Sequence, residues 1–239
     1  MDDLQDFMFH QTPTADRPLL GTTILVVEDS RFACEALRLL ALRSGARIRR
    51  ADCLTAAQRH LKTYRPTVAI VDHGLPDGSG AELIRELAGA VPRIPVILGM
   101  SGDDGAEEAA LEAGADGFLS KPVARLSAFQ QALLAHLPPD RHPTGPRALS
   151  QDEIAPDPVA YRDDVARAAE ILSTRRDEAT VAYLRQFLAG CALSANDRPM
   201  GDALADLARE RRPGGPTPEQ TAKHLSGLMA SRIAGIGTL

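Results

Sequence analysis

"VAIVDHGLPDGSG", residues 68–80, carries a run of small and branched apolar side chains up to Asp72 and then breaks into glycine and proline. A short, nearly continuous apolar run bounded by turn residues reads as a strand buried on both faces, which is the mark of a parallel sheet. In such sheets ligands and chemistry gather beyond the carboxyl ends of the strands. A single acid at the tip of a buried strand therefore points to a site, and the rest of the chain has to supply its partners.

Working outward, "TILVV" (23–27), "ARIRRA" (46–51), "IPVILGM" (94–100) and "DGFL" (116–119) read as the other strands, alternating with segments of helical period such as "SRFACEALRLLALRSG" and "SAFQQALLAHL". "ARIRRA" alternates where the central strands do not, so it belongs at an edge. The proline-rich and charged stretch "PPDRHPTGPRALSQDEIAPDP" marks a linker. Four helical segments follow it with no strand among them. The expected organisation is a tail over 1–21, an α/β domain over 22–138, a linker over 139–157 and a small all-α domain over 158–239. The tail is expected to be flexible, with Phe7, Met8 and Phe9 as the side chains through which it could dock.

Bulk properties narrow the function. The chain has 239 residues, a net charge of −5 and three scattered cysteines, which suits a reducing compartment and neither a disulfide framework nor a zinc cluster. No apolar run approaches the roughly 20 residues of a membrane helix, and the acidic start lacks the apolar core of a secretion signal. A cytoplasmic protein with no membrane partner is expected. The overall acidic balance offers no footprint for nucleic acid, although a local basic face is compatible with it.

The strand ends concentrate charge. The first ends in Glu28 and Asp29, the third in Asp72, the fourth in Ser101, and the fifth is followed by Lys121 and Pro122. If the central strands are neighbours, three carboxylates repel one another unless a cation or proton intervenes. Oxygen-only ligation suits Mg²⁺. A metal and an ammonium beside a carboxylate make a landing place for a phosphoryl group, with Asp72 as covalent acceptor. Singly, each residue has a plain structural use: Asp29 and Ser101 as helix caps, Asp72 opening a turn, Lys121 as a solvated charge. Their joint order is what points to phosphoryl chemistry.

On "ILVVEDS", "VAIVDHGLPDGSG", "PVILGMSG" and "AGADGFLSKP", residues 22–138 resemble the receiver domain of two-component response regulators. The resemblance implies a flavodoxin-like, doubly wound five-stranded parallel sheet in the order 2-1-3-4-5. It implies Mg²⁺ held by Glu28, Asp29, Asp72 and the backbone carbonyl of Gly74, with phosphotransfer to Asp72 from a sensor histidine kinase or phosphotransfer protein. It further implies Lys121 on the phosphoryl oxygens, a cis peptide before Pro122, and a switch made of Ser101 and Phe118. The protein would be a phosphoacceptor with at most slow autodephosphorylation, not an enzyme with its own substrate. Counting forward from Pro95 puts Met100 at the hydroxyl position, whereas counting back from Lys121 favours Ser101; Ser101 is preferred, with Gly99 as a bulge absorbing the extra residue. His73 is read as an exposed neighbour of the acceptor, with catalysis of dephosphorylation as the alternative.

The helical half carries no comparable constellation. His224 reads as a surface residue, a phosphotransfer histidine being the alternative. Leu204, Leu207, Leu225, Leu228 and Met229 read as a small core or a dimer seam, and Arg211 and Arg212 as a helix C-terminal cap. A helix-turn-helix fits poorly, because "RRPGGP" is long for its turn and the reading helix offers only Lys223 and Arg232 as cations. The expected output is a protein target or homodimerisation, with a DNA-binding transcriptional regulator as the alternative.

Overall fold

The computed structural model describes residues 12–103, 105–209 and 217–235. Five parallel strands, β1 (Thr23–Val27), β2 (Arg47–Ala51), β3 (Val68–Asp72), β4 (Val96–Ser101) and β5 (Gly117–Ser120), form one sheet in the order β2-β1-β3-β4-β5. Strands β1, β3 and β4 are buried almost throughout because helices cover both faces. On one face α1 (Arg31–Arg43) and α5 (Leu126–Leu134) pack Leu37, Leu40, Phe129 and Leu133 onto Ile24, Val26, Ile70 and Leu98. On the other, α2 (Leu54–Thr63), α3 (Gly80–Gly89) and α4 (Ala106–Glu112) pack Ala57, Leu83, Ile84 and Ala110 onto Leu25, Val27, Val71 and Ile97. Each large side chain so buried stabilises the fold by about 1.5–3 kcal/mol.

Contacts divide the chain into two units, one of residues 1–29 and 34–155, the other of residues 30–33 and 156–239. The first unit starts before the expected boundary at 22. Leu19 is fully buried in the sheet core and its N–H donates to the Ser44 carbonyl at 2.9 Å, so residues 18–20 pack against the sheet, while residues 14–17 before them are exposed. The Phe7, Met8 and Phe9 docking motif lies outside the described residues. Much of the expected linker is also held. Residues 152–154 lie along residues 124–126, with Ile154 N–H on the Ala124 carbonyl at 2.8 Å and Leu126 N–H on the Asp152 carbonyl at 3.1 Å. Ile154 is buried in the sheet core, and Arg147 donates to Gln130 Oε1 at 2.6 Å.

The second unit is all α: α6 (Pro158–Thr174), α7 (Glu178–Ser194), α8 (Arg198–Arg209) and α9 (Pro218–Gly235). Helix α6 packs on α7 and α9, and α7 on α8 and α9. Asp157 and Asp177 cap α6 and α7 by accepting the N–H groups of Val159 and Thr180, each cap being worth about 1 kcal/mol. The buried Asp164 is satisfied within this unit by Ser30 Oγ at 2.8 Å and by the N–H groups of Arg31 and Phe32. Leu204, Leu207, Leu225 and Met229 lie in the helical core with Leu228 partly buried beside them, so of the two uses expected for this stripe the core is the one found. Arg211, Arg212 and the "RRPGGP" connection fall outside the described residues. No described helix is long and apolar enough to cross a membrane.

Candidate functional site

Parallel pairing brings the strand ends together. Val27 stands beside Val71 in the β1–β3 register, so Glu28 and Asp29 emerge next to Asp72 at the carboxyl edge of the sheet. Each of Glu28, Asp29 and Asp72 offers a carboxylate oxygen, and these oxygens lie within 4.8 Å of one another. All three residues are buried, at 1%, 2% and 6% exposure, which forbids water from screening their repulsion. The Lys121 ammonium answers it in part. It sits 2.7 Å from Glu28 Oε2 and 2.6 Å from Asp72 Oδ1.

One ammonium against three carboxylates leaves the cluster short of positive charge. Burial and then the Glu28 charge push the Asp72 carboxyl up to about 7, against the pull of Lys121. Burial opposes the charge on Lys121, yet Glu28 and Asp72 outweigh it and hold that ammonium above its ordinary range. Cys34, whose Sγ donates to the Glu28 carbonyl at 3.4 Å, feels the same field: burial and then Glu28 raise its thiol. A compact, buried, all-oxygen donor set with excess negative charge is the chemistry that a hard divalent cation fits.

The loop after Asp72 is built to hold this corner. Asp72 Oδ2 accepts the Gly74 N–H at 3.1 Å, and residues 74–75 pair antiparallel with 78–79. His73, half-buried, gives its N–H to the Met100 carbonyl and takes that of Gly80, each through the backbone. A Cβ at Gly80 would collide with the Asp72 carbonyl, so glycine is required for the loop to close over the strand tip. Asp77 anchors the loop to α2 by accepting the Leu54 and Thr55 N–H groups at 2.7 and 3.0 Å. Burial pushes the other way, but those hydrogen bonds hold its carboxyl below the usual range.

At the fourth strand Met100 and Ser101 fall on opposite faces of the sheet. Strand β4 pairs without interruption from Val96 to Met100 with β3 and from Leu98 to Ser101 with β5, so the bulge expected at Gly99 is absent. Met100 is packed in the core with α1 and α5. Ser101 points to the opposite face, the face of Gly99 and Phe118, and its Oγ accepts the Asp103 N–H at 3.1 Å. Gly99 has a different purpose from the one expected: a Cβ there would stand 3.0 Å from the Phe118 ring and 2.5 Å from Ala110 Cβ. The Lys121–Pro122 peptide is cis.

One residue near the site escaped the sequence. Arg50, at the end of the edge strand, donates to the Asp29 main-chain oxygen at 3.1 Å and so braces the acidic loop. Alternation could have singled it out, since Arg50 faces away from Arg47 and Arg49. In the helical unit His224 is exposed on α9, and Arg232, half of the cation pair offered for reading DNA, is bound to Asp197 at 2.6 Å. Asp197 also accepts the Tyr161 hydroxyl at 2.8 Å.

Residues 24–133 match the response regulator receiver domain family. The chain is 33% identical over 158 residues to response regulator MprA of Mycobacterium sp. (strain KMS), spanning 65% of this chain and 67% of that protein. It is 40% identical over 103 residues to the KDP operon transcriptional regulatory protein KdpE of Escherichia coli (strain K12), spanning 42% of this chain but only 45% of that protein. Among solved structures, a response regulator of Chloroflexus aurantiacus J-10-fl aligns with 48% of this chain and 98% of its own at 30% identity and a TM-score of 0.44.

Proposed function

The chain belongs to the response regulator family, with its receiver domain at residues 24–133, and from that premise we propose that Asp72 is the phosphoacceptor of a two-component phosphorelay. The donor is a sensor histidine kinase or a phosphotransfer protein. The observation that carries this reading is the cluster itself: an acid at a strand tip, within ion-pair distance of a buried lysine and beside two more acids. An ionised Asp72 oxygen attacks phosphorus, the bond to the donor's nitrogen breaks, and Lys121 moves from the carboxylate to the incoming phosphoryl oxygens.

Glu28, Asp29 and Asp72, with the backbone carbonyl of Gly74, are the residues to hold Mg²⁺, whose charge offsets that of the carboxylates and the phosphoryl group. Ser101 and Phe118 share one face of the sheet edge, which suits a switch in which the hydroxyl meets the phosphoryl group and the ring follows it. With no phenolic hydroxyl, the ring is held by packing alone.

For the helical unit the reading is a protein-interaction or dimerisation module. Its leucine stripe is spent on its own core and Arg232 on Asp197, which leaves the α9 face poor in cations for reading bases. The second reading, a DNA-binding transcriptional regulator, is favoured by the name of the KdpE relative. It requires sequence-selective retention of promoter DNA at moderate salt.

The test of the phosphoacceptor reading is incubation with Mg²⁺ and acetyl phosphate. One acid-labile phosphoryl group should appear on wild type and none on Asp72→Asn. Wild type that stays unlabelled, or labelling that survives in the variant, would overturn it.

A further inference from the structure

Charge is distributed very unevenly along this acidic chain. Between residues 39 and 71 there are seven lysines and arginines and a single acid, Asp52, although the whole protein carries −5. The structure gathers most of these cations at one edge. Strand β2 ends the sheet, with only β1 beside it. Arg47 and Arg49 stand exposed on its α2 side, about 7 Å apart along the strand. Helix α2 lies against β2, tied by a His60 ring nitrogen to the Arg50 carbonyl at 3.1 Å, and it presents Arg59 and Lys62 to solvent. Arg65 follows, also exposed. Among the described residues no carboxylate lies within ion-pair distance of Arg47, Arg49, Arg59 or Lys62.

Charged edge strands commonly serve to block edge-to-edge pairing. That accounts for Arg47 and Arg49 but not for Arg59 and Lys62, which lie on a helix and add repulsion with no carboxylate to relieve it. The composition also selects among acidic partners. Protein interfaces are anchored by buried apolar side chains, and surface-bound membrane proteins insert an apolar face. None of the large exposed apolar side chains among the described residues belongs to β2 or α2. What remains is a partner recognised by charge alone. Guanidinium forks match phosphate oxygens two at a time, and arginines at alternate positions of an extended strand recur at a spacing comparable with that of successive phosphates along one nucleic-acid strand.

We propose that the β2–α2 edge, with Arg47, Arg49, Arg59 and Lys62 as its cations, binds the phosphodiester backbone of nucleic acid without reading sequence. The assignment does not depend on Asp72 chemistry or on base reading by the second unit. The full-length chain, titrated against a labelled random-sequence duplex at increasing salt, should lose affinity linearly on logarithmic axes. Arg47→Ala with Arg49→Ala should weaken binding about tenfold or more and lower the salt slope by about 2, whereas Lys223→Ala in α9 should change neither. Arg59→Glu with Lys62→Glu, both on an exposed helix face, gives the same reading should the strand variant fold poorly. Acetyl phosphate labelling of Asp72 should proceed at the wild-type rate in every variant, so the two assignments fail separately. Absence of salt-dependent binding, binding that survives both pairs of substitutions, or equal displacement by polyglutamate or by phosphatidylserine vesicles would overturn the proposal.

Discussion

Lys121 Nζ lies 2.6 Å from Asp72 Oδ1 and 2.7 Å from Glu28 Oε2, one ammonium shared by two buried carboxylates whose parent strands are adjacent in the sheet but far apart in the chain. The bridge is a poor source of net stability, because all three groups gave up hydration to form it. Its removal is another matter, since it leaves the acids facing each other.

Lys121→Met should therefore destabilise the metal-free protein by about 3–5 kcal/mol, the cost of leaving a buried ion pair half intact. Urea unfolding measures this, and millimolar Mg²⁺ should restore part of the loss by supplying another cation. An unchanged midpoint would show that the bridge is energetically idle.

The pH dependence follows from Asp72. Its carboxyl is raised to about 7 in the folded protein, by burial first and Glu28 second, while the unfolded carboxyl titrates near 4. Between about pH 4 and 7 the folded state holds a proton the unfolded chain has lost, so this group's contribution to stability falls as pH rises through that window. Asp72→Asn carries no such proton. Without metal it should melt above wild type at about pH 8, by a margin on the order of 2–4 kcal/mol, and the margin should close as pH falls toward 4. Thermal unfolding across that range checks both the size and the sign.

Gly99→Ala should cost about 1–3 kcal/mol, because the new methyl meets Ala110 and the Phe118 ring in a packed layer. Pairing it with Ala110→Gly should recover much of the loss. Failure of the double variant to improve on the single one would locate the strain elsewhere.

Ile154→Asp should free the segment clipped along residues 124–126. The substitution buries a charge in the sheet core, so release is the cheaper outcome. Limited proteolysis should then cut between residues 142 and 157 much faster than in wild type, with the melting of the sheet lowered by about 1–2 kcal/mol for the lost isoleucine contact. Cleavage at the wild-type rate would mean that the clip does not depend on Ile154.

The parallel sheet was legible in the chain because buried parallel strands must be apolar on both faces, and the alternating "ARIRRA" suited an edge, whereas the strand order was implied only by the receiver resemblance. The acids and the lysine were legible only jointly, since each alone could cap a helix, open a turn or sit in solvent, and it is their order at successive strand ends that marks a site. The helical unit was legible as helices and no further, because its leucines suit a core or a seam equally and only packing chose the core.

What tertiary structure alone decided is each feature that depends on two segments meeting. Leu19 joins the core and Ile154 is clipped down because the sheet's α1 and α5 face has apolar surface left to cover, which no local pattern in a proline-rich stretch reveals. Gly99 was misread as a bulge because spacing along one strand does not contain the ring of Phe118 lying across from it. Periodicity reports which side of an element is apolar; what that side touches is set by the folding of the rest of the chain.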